Sequence, residues 1–184
     1  MPGGEAKRLA CLLLALWVAR ADAHPVDEVV QGAYLTLAAG QVRLELDLAP
    51  GAEVAEAFLT SLDTNRDQRI TEVEARGFAA RVLEQSTLLL DGVAVHWALD
   101  QVTVPAYQAL RFGNDILRIQ AIASRADSAG MHALSYRNRF QPAKSQRTAN
   151  VFVQPGGGWT YQVTGQERTD DGQQLKVSYV VARQ

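Results

Sequence analysis

The stretch Gln41-Val42-Arg43-Leu44-Glu45-Leu46-Asp47-Leu48 alternates polar and apolar side chains without interruption. Successive side chains of a β-strand point to opposite faces of its sheet. A period of two over eight residues therefore predicts a strand with one face in the core and the other toward solvent.

Eight further stretches have patterns typical of strands. They span residues 33–37, 87–90, 93–99, 116–122, 132–140, 149–153, 159–164 and 174–181. Asp91-Gly92 and Asp171-Gly172 predict tight hairpin turns, and residues 155–158 predict a looser connection. About nine short strands with such turns predict a mainly β fold, an antiparallel sandwich that is immunoglobulin-like in outline.

Between the second and third predicted strands, the apolar residues recur at helical spacing. Phe58, Leu59 and Leu62 form one face of a helix that begins near residue 53. Phe78 and Val82 form the face of a second helix that ends near residue 85. The sequence therefore predicts a helix-loop-helix inserted into the sandwich at about residues 53–85.

The loop between these two helices carries the most specific chemical pattern in the chain. Side-chain oxygens stand at loop positions 1, 3, 5, 9 and 12 of residues 63–74. This spacing resembles the EF-hand family, whose loops hold Ca²⁺ with these positions and with the backbone carbonyl at position 7. The resemblance implies a calcium site made of Asp63, Asn65, Asp67, Arg69, Thr71 and Glu74.

Two features limit the affinity and the role that we expect for this calcium site. Position 6 normally carries glycine because the backbone turns there with positive φ, and Gln68 in that conformation costs about 1 kcal/mol. No second loop is found, since Asp127-Ser128 and Asp170-Asp171 lack the other ligand positions. We therefore expect a weak structural clamp. The alternative is a solvated acidic turn between helices, which the positive charges of Arg66 and Arg69 favour.

The first residues have the features of a secretory signal peptide. Lys7 and Arg8 precede the apolar run 9–19, and small residues Ala21 and Ala23 precede a predicted cleavage after Ala23. The apolar run is too short to span a bilayer comfortably. We expect a signal peptide at 1–23, a single domain at 24–184, and a periplasmic or secreted location. Cys11 is the only cysteine, so disulfides cannot stabilise the mature domain.

Composition and motifs exclude several function classes. The chain has 20 acidic and 18 basic residues, so we expect no nucleic-acid partner. No other apolar segment is long enough to span a membrane. We find no nucleophile elbow, no phosphate-binding glycine loop and no paired histidines at metal-binding helical spacing. The sequence therefore predicts a protein that is not an enzyme, although a catalytic set assembled only in space stays open.

The predicted cleavage would leave His24 as the first residue of the mature chain. Its imidazole and the free α-amine could chelate copper or nickel. His96 or His132 would have to supply a further ligand. The alternative is a frayed terminus with isolated histidines.

A second resemblance rests on residues 135–145 and 149–153, on the His24-Pro25 start and on the position of the helix-loop-helix after two strands. Together they resemble periplasmic sandwich domains that accompany bacterial nickel/cobalt and hydrogenase/urease accessory metal permeases. The resemblance implies an accessory or metal-handling module beside a separate membrane permease. We interpret Arg137, Asn138 and Arg139 as a hydrated sheet edge. The favoured function is a non-catalytic, calcium-binding accessory or interaction module.

Overall fold

The computed structural model describes residues 27–184, so the predicted signal peptide, the cleavage site after Ala23, and His24 lie outside the described residues. The strands are β1 (Val29–Ala38), β2 (Gln41–Pro50), β3 (Ser86–Leu90), β4 (Val93–Val95), β5 (Ala98–Thr103), β6 (Leu117–Ser124), β7 (Gly130–Asn138), β8 (Ser145–Gln154), β9 (Trp159–Arg168) and β10 (Gln174–Arg183). The helices are α1 (Ala55–Leu62), α2 (Glu72–Glu84) and α3 (Tyr107–Arg111). Within 27–184 no helix is both long and apolar enough to cross a membrane.

The strands form two five-stranded sheets. The first has the order β5-β6-β2-β1-β8 and the second the order β4-β3-β7-β10-β9. This arrangement confirms a mainly β sandwich. The expectation of an antiparallel sandwich needs one correction, because β1 and β8 pair in parallel. Parallel neighbours need a long connection, and the chain between β1 and β8 visits the other sheet before it returns.

The core lies between the two sheets. Val42, Leu44, Leu46 and Leu48 of β2 are all at most 1% exposed, which confirms the face predicted by their alternation. The second sheet contributes the inward side chains Leu134, Tyr136, Leu175, Val177 and Tyr179. Each buried leucine or valine contributes about 1.5–3 kcal/mol relative to an exposed one, so these strand faces are the main source of stability.

The strand predicted at 93–99 is wrong as a single element. β4 ends at Val95 in the second sheet, and β5 begins at Ala98 in the first. His96 and Trp97 carry the chain from one sheet to the other. Trp97 packs against the core and meets Tyr136 edge-on, with ring centroids 6.4 Å apart. The apolar alternation continues through the crossing, so the pattern alone does not show the break. The short helix α3 was not predicted either.

The predicted turns at Asp91-Gly92 and at residues 155–158 are confirmed, whereas Asp171-Gly172 lies in a five-residue connection, 169–173, and not in a tight hairpin. Asp91 and Gly92, at φ 52° and 80°, form the two-residue connection between β3 and β4, and such a pair of positive φ angles suits the twist of a hairpin. Gly172, at φ 66°, lies in the turn between β9 and β10. Residues 155–158 join β8 to β9. The β4–β5 crossing and the β8–β9 connection thus link the sheets at opposite edges.

A buried polar cluster corrects the interpretation of Asn138 as part of a hydrated edge. β7 lies in the middle of its sheet, and Asn138 is 3% exposed. Its amide donates to Gln31 Oε1 at 2.8 Å and its Oδ1 accepts from the Phe140 amide at 3.0 Å. Arg147 donates to the Phe140 carbonyl at 2.7 Å. These contacts satisfy polar groups that would otherwise be costly to bury.

Candidate functional site

Two packed helices hold the loop of residues 63–74. The apolar faces of α1 and α2 are buried, as their spacing predicts. Phe58 of α1 meets Phe78 of α2 edge-on at 5.4 Å between ring centroids. Phe78 in turn meets Phe140 of the sandwich at 5.5 Å. Phe58, Phe78 and Phe140 thus form a continuous aromatic chain. This aromatic chain fixes both helices, and the loop between them, to the β-sandwich.

Asp63 occupies loop position 1 and closes the end of α1. It is 3% exposed, although it carries a carboxylate. Its Oδ1 accepts from the backbone amide of Asp67 at 3.2 Å, and its Oδ2 accepts from that of Gln68 at 2.9 Å. A carboxylate oxygen has more than one acceptor position, so each oxygen can take a further partner.

Asn65 and Asp67, at positions 3 and 5, fold onto the same turn. Asn65 Oδ1 accepts from the Asp67 amide at 3.0 Å, and Asp67 Oδ1 accepts from the Arg69 amide at 2.8 Å. The Asn65 side-chain amide also donates to Asp67 Oδ2 at 3.1 Å. The structure therefore brings the side chains of positions 1, 3 and 5 together around one short backbone turn.

The backbone of this turn is left-handed at two residues. Arg66 and Gln68 both have φ of 62°, a conformation that side chains other than glycine adopt at a cost of about 1–2 kcal/mol. Gln68 thus takes the positive φ that position 6 of the predicted loop requires. The hydrogen bonds to Asp63 hold it there.

Glu74, at position 12, joins the two ends of the loop. Its Oε2 accepts from the backbone amide and the hydroxyl of Thr71, at 3.0 and 2.8 Å, in a capping box at the start of α2. Its Oε1 accepts from the backbone amide and the hydroxyl of Thr64, at 2.9 and 3.0 Å. These donors, the Thr71 amide first, lower the pKa of Glu74 from 4.5 to about 2.

This pKa predicts how the loop responds to acid. A lowered pKa in the folded state stabilises the fold above the ordinary pKa, and the stabilisation is lost as pH falls toward the folded-state value. We expect the melting temperature of the wild type to exceed that of Glu74→Gln above about pH 5. The difference should shrink between pH 4.5 and about 2. A difference that stays constant down to pH 2 would contradict the role of the ionised carboxylate.

The structure brings only some of the six predicted ligand residues into contact with one another. Asp63, Asn65 and Asp67 share hydrogen bonds, and Thr71 contacts Glu74. The Glu74 carboxylate is directed to backbone and hydroxyl donors. Among residues 27–184 no group of three or more His, Cys, Asp or Glu side chains is close enough to hold a metal ion. Such a group counts only His, Cys, Asp and Glu side chains. The EF-hand pattern also uses amide, hydroxyl and backbone carbonyl oxygens as ligands.

A hollow of about 330 Å³ lies beside the loop. Asp63, Arg66 and Gln68 line it, together with Glu56 of α1 and Tyr107 of α3. The sequence did not identify Tyr107 as part of this region. α3 has only five residues, too few for a helical period to be recognised.

The histidines do not form a common site within the described residues. His96 is exposed in the crossing between β4 and β5. His132 Nδ1 lies 2.8 Å from Asp91 Oδ2, and its Nε2 lies 2.9 Å from the Ser128 carbonyl and 3.4 Å from the Ser128 hydroxyl. Sequence inspection missed this Ser, His and Asp set. Because Nε2 is closer to the carbonyl than to the hydroxyl, the ring is not aimed as a base at Ser128.

No protein-family model, curated protein or solved structure matches the chain. The candidate site is therefore defined by residues of this chain. Its strongest element is the turn at 63–68, where a buried carboxylate, a left-handed Gln68 and the oxygens of Asn65 and Asp67 meet.

Proposed function

We propose that the protein binds Ca²⁺ through residues 63–74 and that the ion is a structural clamp in a non-catalytic, periplasmic or secreted accessory module. The observation that carries the proposal is the turn that closes over the Asp63 carboxylate, with Gln68 at φ 62°. In this turn the side chains of positions 1, 3 and 5 all accept hydrogen bonds from backbone amides of residues 67–69. This local geometry supports the ligand spacing found in the sequence.

The donor set fits a hard cation. Asp63, Asp67 and Glu74 offer carboxylates, Asn65 an amide oxygen, and Arg69 and Thr71 the backbone and side-chain oxygens of positions 7 and 9. Calcium prefers six to eight oxygen ligands of these kinds. Glu74 would exchange part of its contact with Thr64 for the ion, and this competition, added to the strain at Gln68, favours weak binding.

Weak binding is sufficient for a clamp. Extracellular calcium modules have dissociation constants of about 10⁻⁴ to 10⁻³ M. At ten times the dissociation constant, an ion stabilises the folded state by about 1.4 kcal/mol. Since α1 and α2 are joined to the sandwich by Phe58, Phe78 and Phe140, this free energy would hold the helices in place. The described residues contain no second loop with this spacing through which a signalling change could pass. Action beside a metal permease follows only from the resemblance of the sequence.

Calorimetric titration with CaCl₂ and thermal melting test the proposal. We expect saturable binding by the wild type and a rise in melting temperature. Asp67→Asn should weaken binding at least tenfold, because it removes a ligand charge and keeps an oxygen that can accept from the Arg69 amide. Asp170→Asn is the matched control, since it removes an exposed carboxylate outside the loop.

Two results would refute the clamp. One is a wild-type protein that shows neither heat of binding nor a change in melting at millimolar calcium. The other is an equal loss of binding in Asp67→Asn and Asp170→Asn, which would indicate a diffuse charge effect. In either case the loop of residues 63–74 is a hydrogen-bonded turn that needs no ion.

A further inference from the structure

A groove lies at the C-terminal end of α2, away from the loop of residues 63–74. It has a volume of about 490 Å³ and lies where β4 ends and the chain crosses to β5. The last turns of α2 form one wall and β3 forms another. Leu83, Leu88, Val95, Trp97 and Leu99 give the groove a mainly apolar lining. Its volume lies in the range of small-molecule sites, about 300–1,000 Å³.

Polar atoms without partners lie in and beneath this apolar lining. The Trp97 indole nitrogen and the Ser86 hydroxyl are buried and have no hydrogen-bond partner within the described protein. Tyr136, packed edge-on against Trp97, also has a hydroxyl without a partner of normal geometry. Burial raises the pKa of Tyr136. Ser86 lies on β3, which pairs with β7, the strand of Tyr136. Neither hydroxyl satisfies the Trp97 N–H, which can only donate.

The charges at the groove select the kind of ligand. His96, in the crossing to β5, and Glu84 of α2 both line the groove and are exposed. The Glu84 carboxylate disfavours an anion. The apolar walls disfavour a strongly hydrated cation, because removing its water costs several kcal/mol even when a carboxylate is near. The unpaired Trp97 N–H needs an oxygen acceptor as its partner, and the apolar walls favour a ligand with an apolar body.

We propose that this groove binds a small, neutral, mainly apolar molecule that carries a carbonyl-type oxygen, and that Trp97 Nε1 donates a hydrogen bond to that oxygen. Nε1 is buried in the ligand-free protein, so this donation requires the indole, which is only partly buried as a whole, to turn toward the groove. None of the proposed calcium ligands lines the groove, so binding there does not use the calcium ion as a contact. Such binding gives the module a binding function separate from the clamp.

The test uses prodan, a neutral naphthalene dye with one ketone oxygen, and the full chain in the presence of EDTA. The dye is excited directly, so that changes in tryptophan content do not alter the readout. We expect saturable enhancement of dye fluorescence with the wild type. Trp97→Phe keeps an aromatic ring but removes the donor, and should weaken binding about tenfold. Ala80→Phe adds bulk from an exposed residue that lines the groove, and should weaken it at least as much.

Trp159→Phe is the matched control. Trp159 lies on β9, at the opposite edge of the second sheet, beside Arg183, and its replacement should leave dye affinity unchanged. The proposal is overturned if the wild type shows no saturable binding, or if Ala80→Phe binds as well as the wild type. It is also overturned if Trp97→Phe and Trp159→Phe bind alike. EDTA removes calcium, so dye binding under these conditions reports on the groove, and the calcium titration of residues 63–74 tests the clamp separately.

Discussion

Replacing Gly172 with alanine is expected to lower the free energy of unfolding by about 2–5 kcal/mol, a large part of the stability of an ordinary domain. Gly172 has φ of 66°, where a Cβ atom costs about 1–2 kcal/mol. The added Cβ would also overlap the Arg147 carbonyl oxygen and lie 2.7 Å from its carbonyl carbon. These are backbone atoms, so relief requires the β9–β10 turn to move away from β8, an overpacking cost of about 1–3 kcal/mol.

Gly92→Ala separates the cost of a Cβ atom at positive φ from the cost of steric overlap. Gly92 has a similar φ of 80°, but apart from its two chain neighbours no heavy atom lies within 4 Å of the position its Cβ would occupy. We expect it to lose only the backbone contribution, about 1–2 kcal/mol. Denaturant unfolding of both variants measures the difference. Equal losses in the two variants would show that the turn does not press against Arg147.

Phe78→Ala is expected to destabilise the protein by about 3–5 kcal/mol, the usual range for removing a buried phenylalanine. Phe78 is 1% exposed and lies between Phe58 and Phe140. The substitution would leave a cavity at the point where α2 rests on the sandwich. The loss should therefore be accompanied by faster amide hydrogen exchange in α1 and α2.

The same substitution at an exposed position gives the control. Phe112 is 61% exposed, and Phe112→Ala should change stability by no more than about 0.5 kcal/mol. If denaturant unfolding shows that Phe78→Ala and Phe112→Ala lower the free energy of unfolding by similar amounts, the aromatic chain does not anchor the helices.

The fold could be predicted where one face of an element is buried along its whole length. The β2 stretch shows this most clearly, because its alternation corresponds to one inward face. Prediction failed where the path of the chain depends on distant contacts. His96 and Trp97 continue the alternation of β4 while the chain changes sheets. Asn138 is polar, yet Gln31, more than a hundred residues away, gives it a buried partner.

The candidate site could also be predicted only in part from the sequence. Fixed spacing within twelve residues predicted the positive φ at Gln68, which the structure has, and it supplies the ligand positions that we propose. Spacing could not indicate that Glu74 accepts hydrogen bonds from Thr64 and Thr71 at opposite ends of the loop. Nor could it indicate that Tyr107 borders the loop, since that contact depends on how α3 packs against α1.

The calcium clamp is tested most directly by a ¹H–¹⁵N NMR titration of the full chain with CaCl₂. Saturable shifts are expected at the amides of residues 63–74, with Gln68 and Thr71 among the largest, since both donate to proposed ligand carboxylates. The amides of β2 and β9 should change little. An absence of saturable shifts in this loop at roughly 10 mM calcium, well above the usual extracellular range, would contradict the claim.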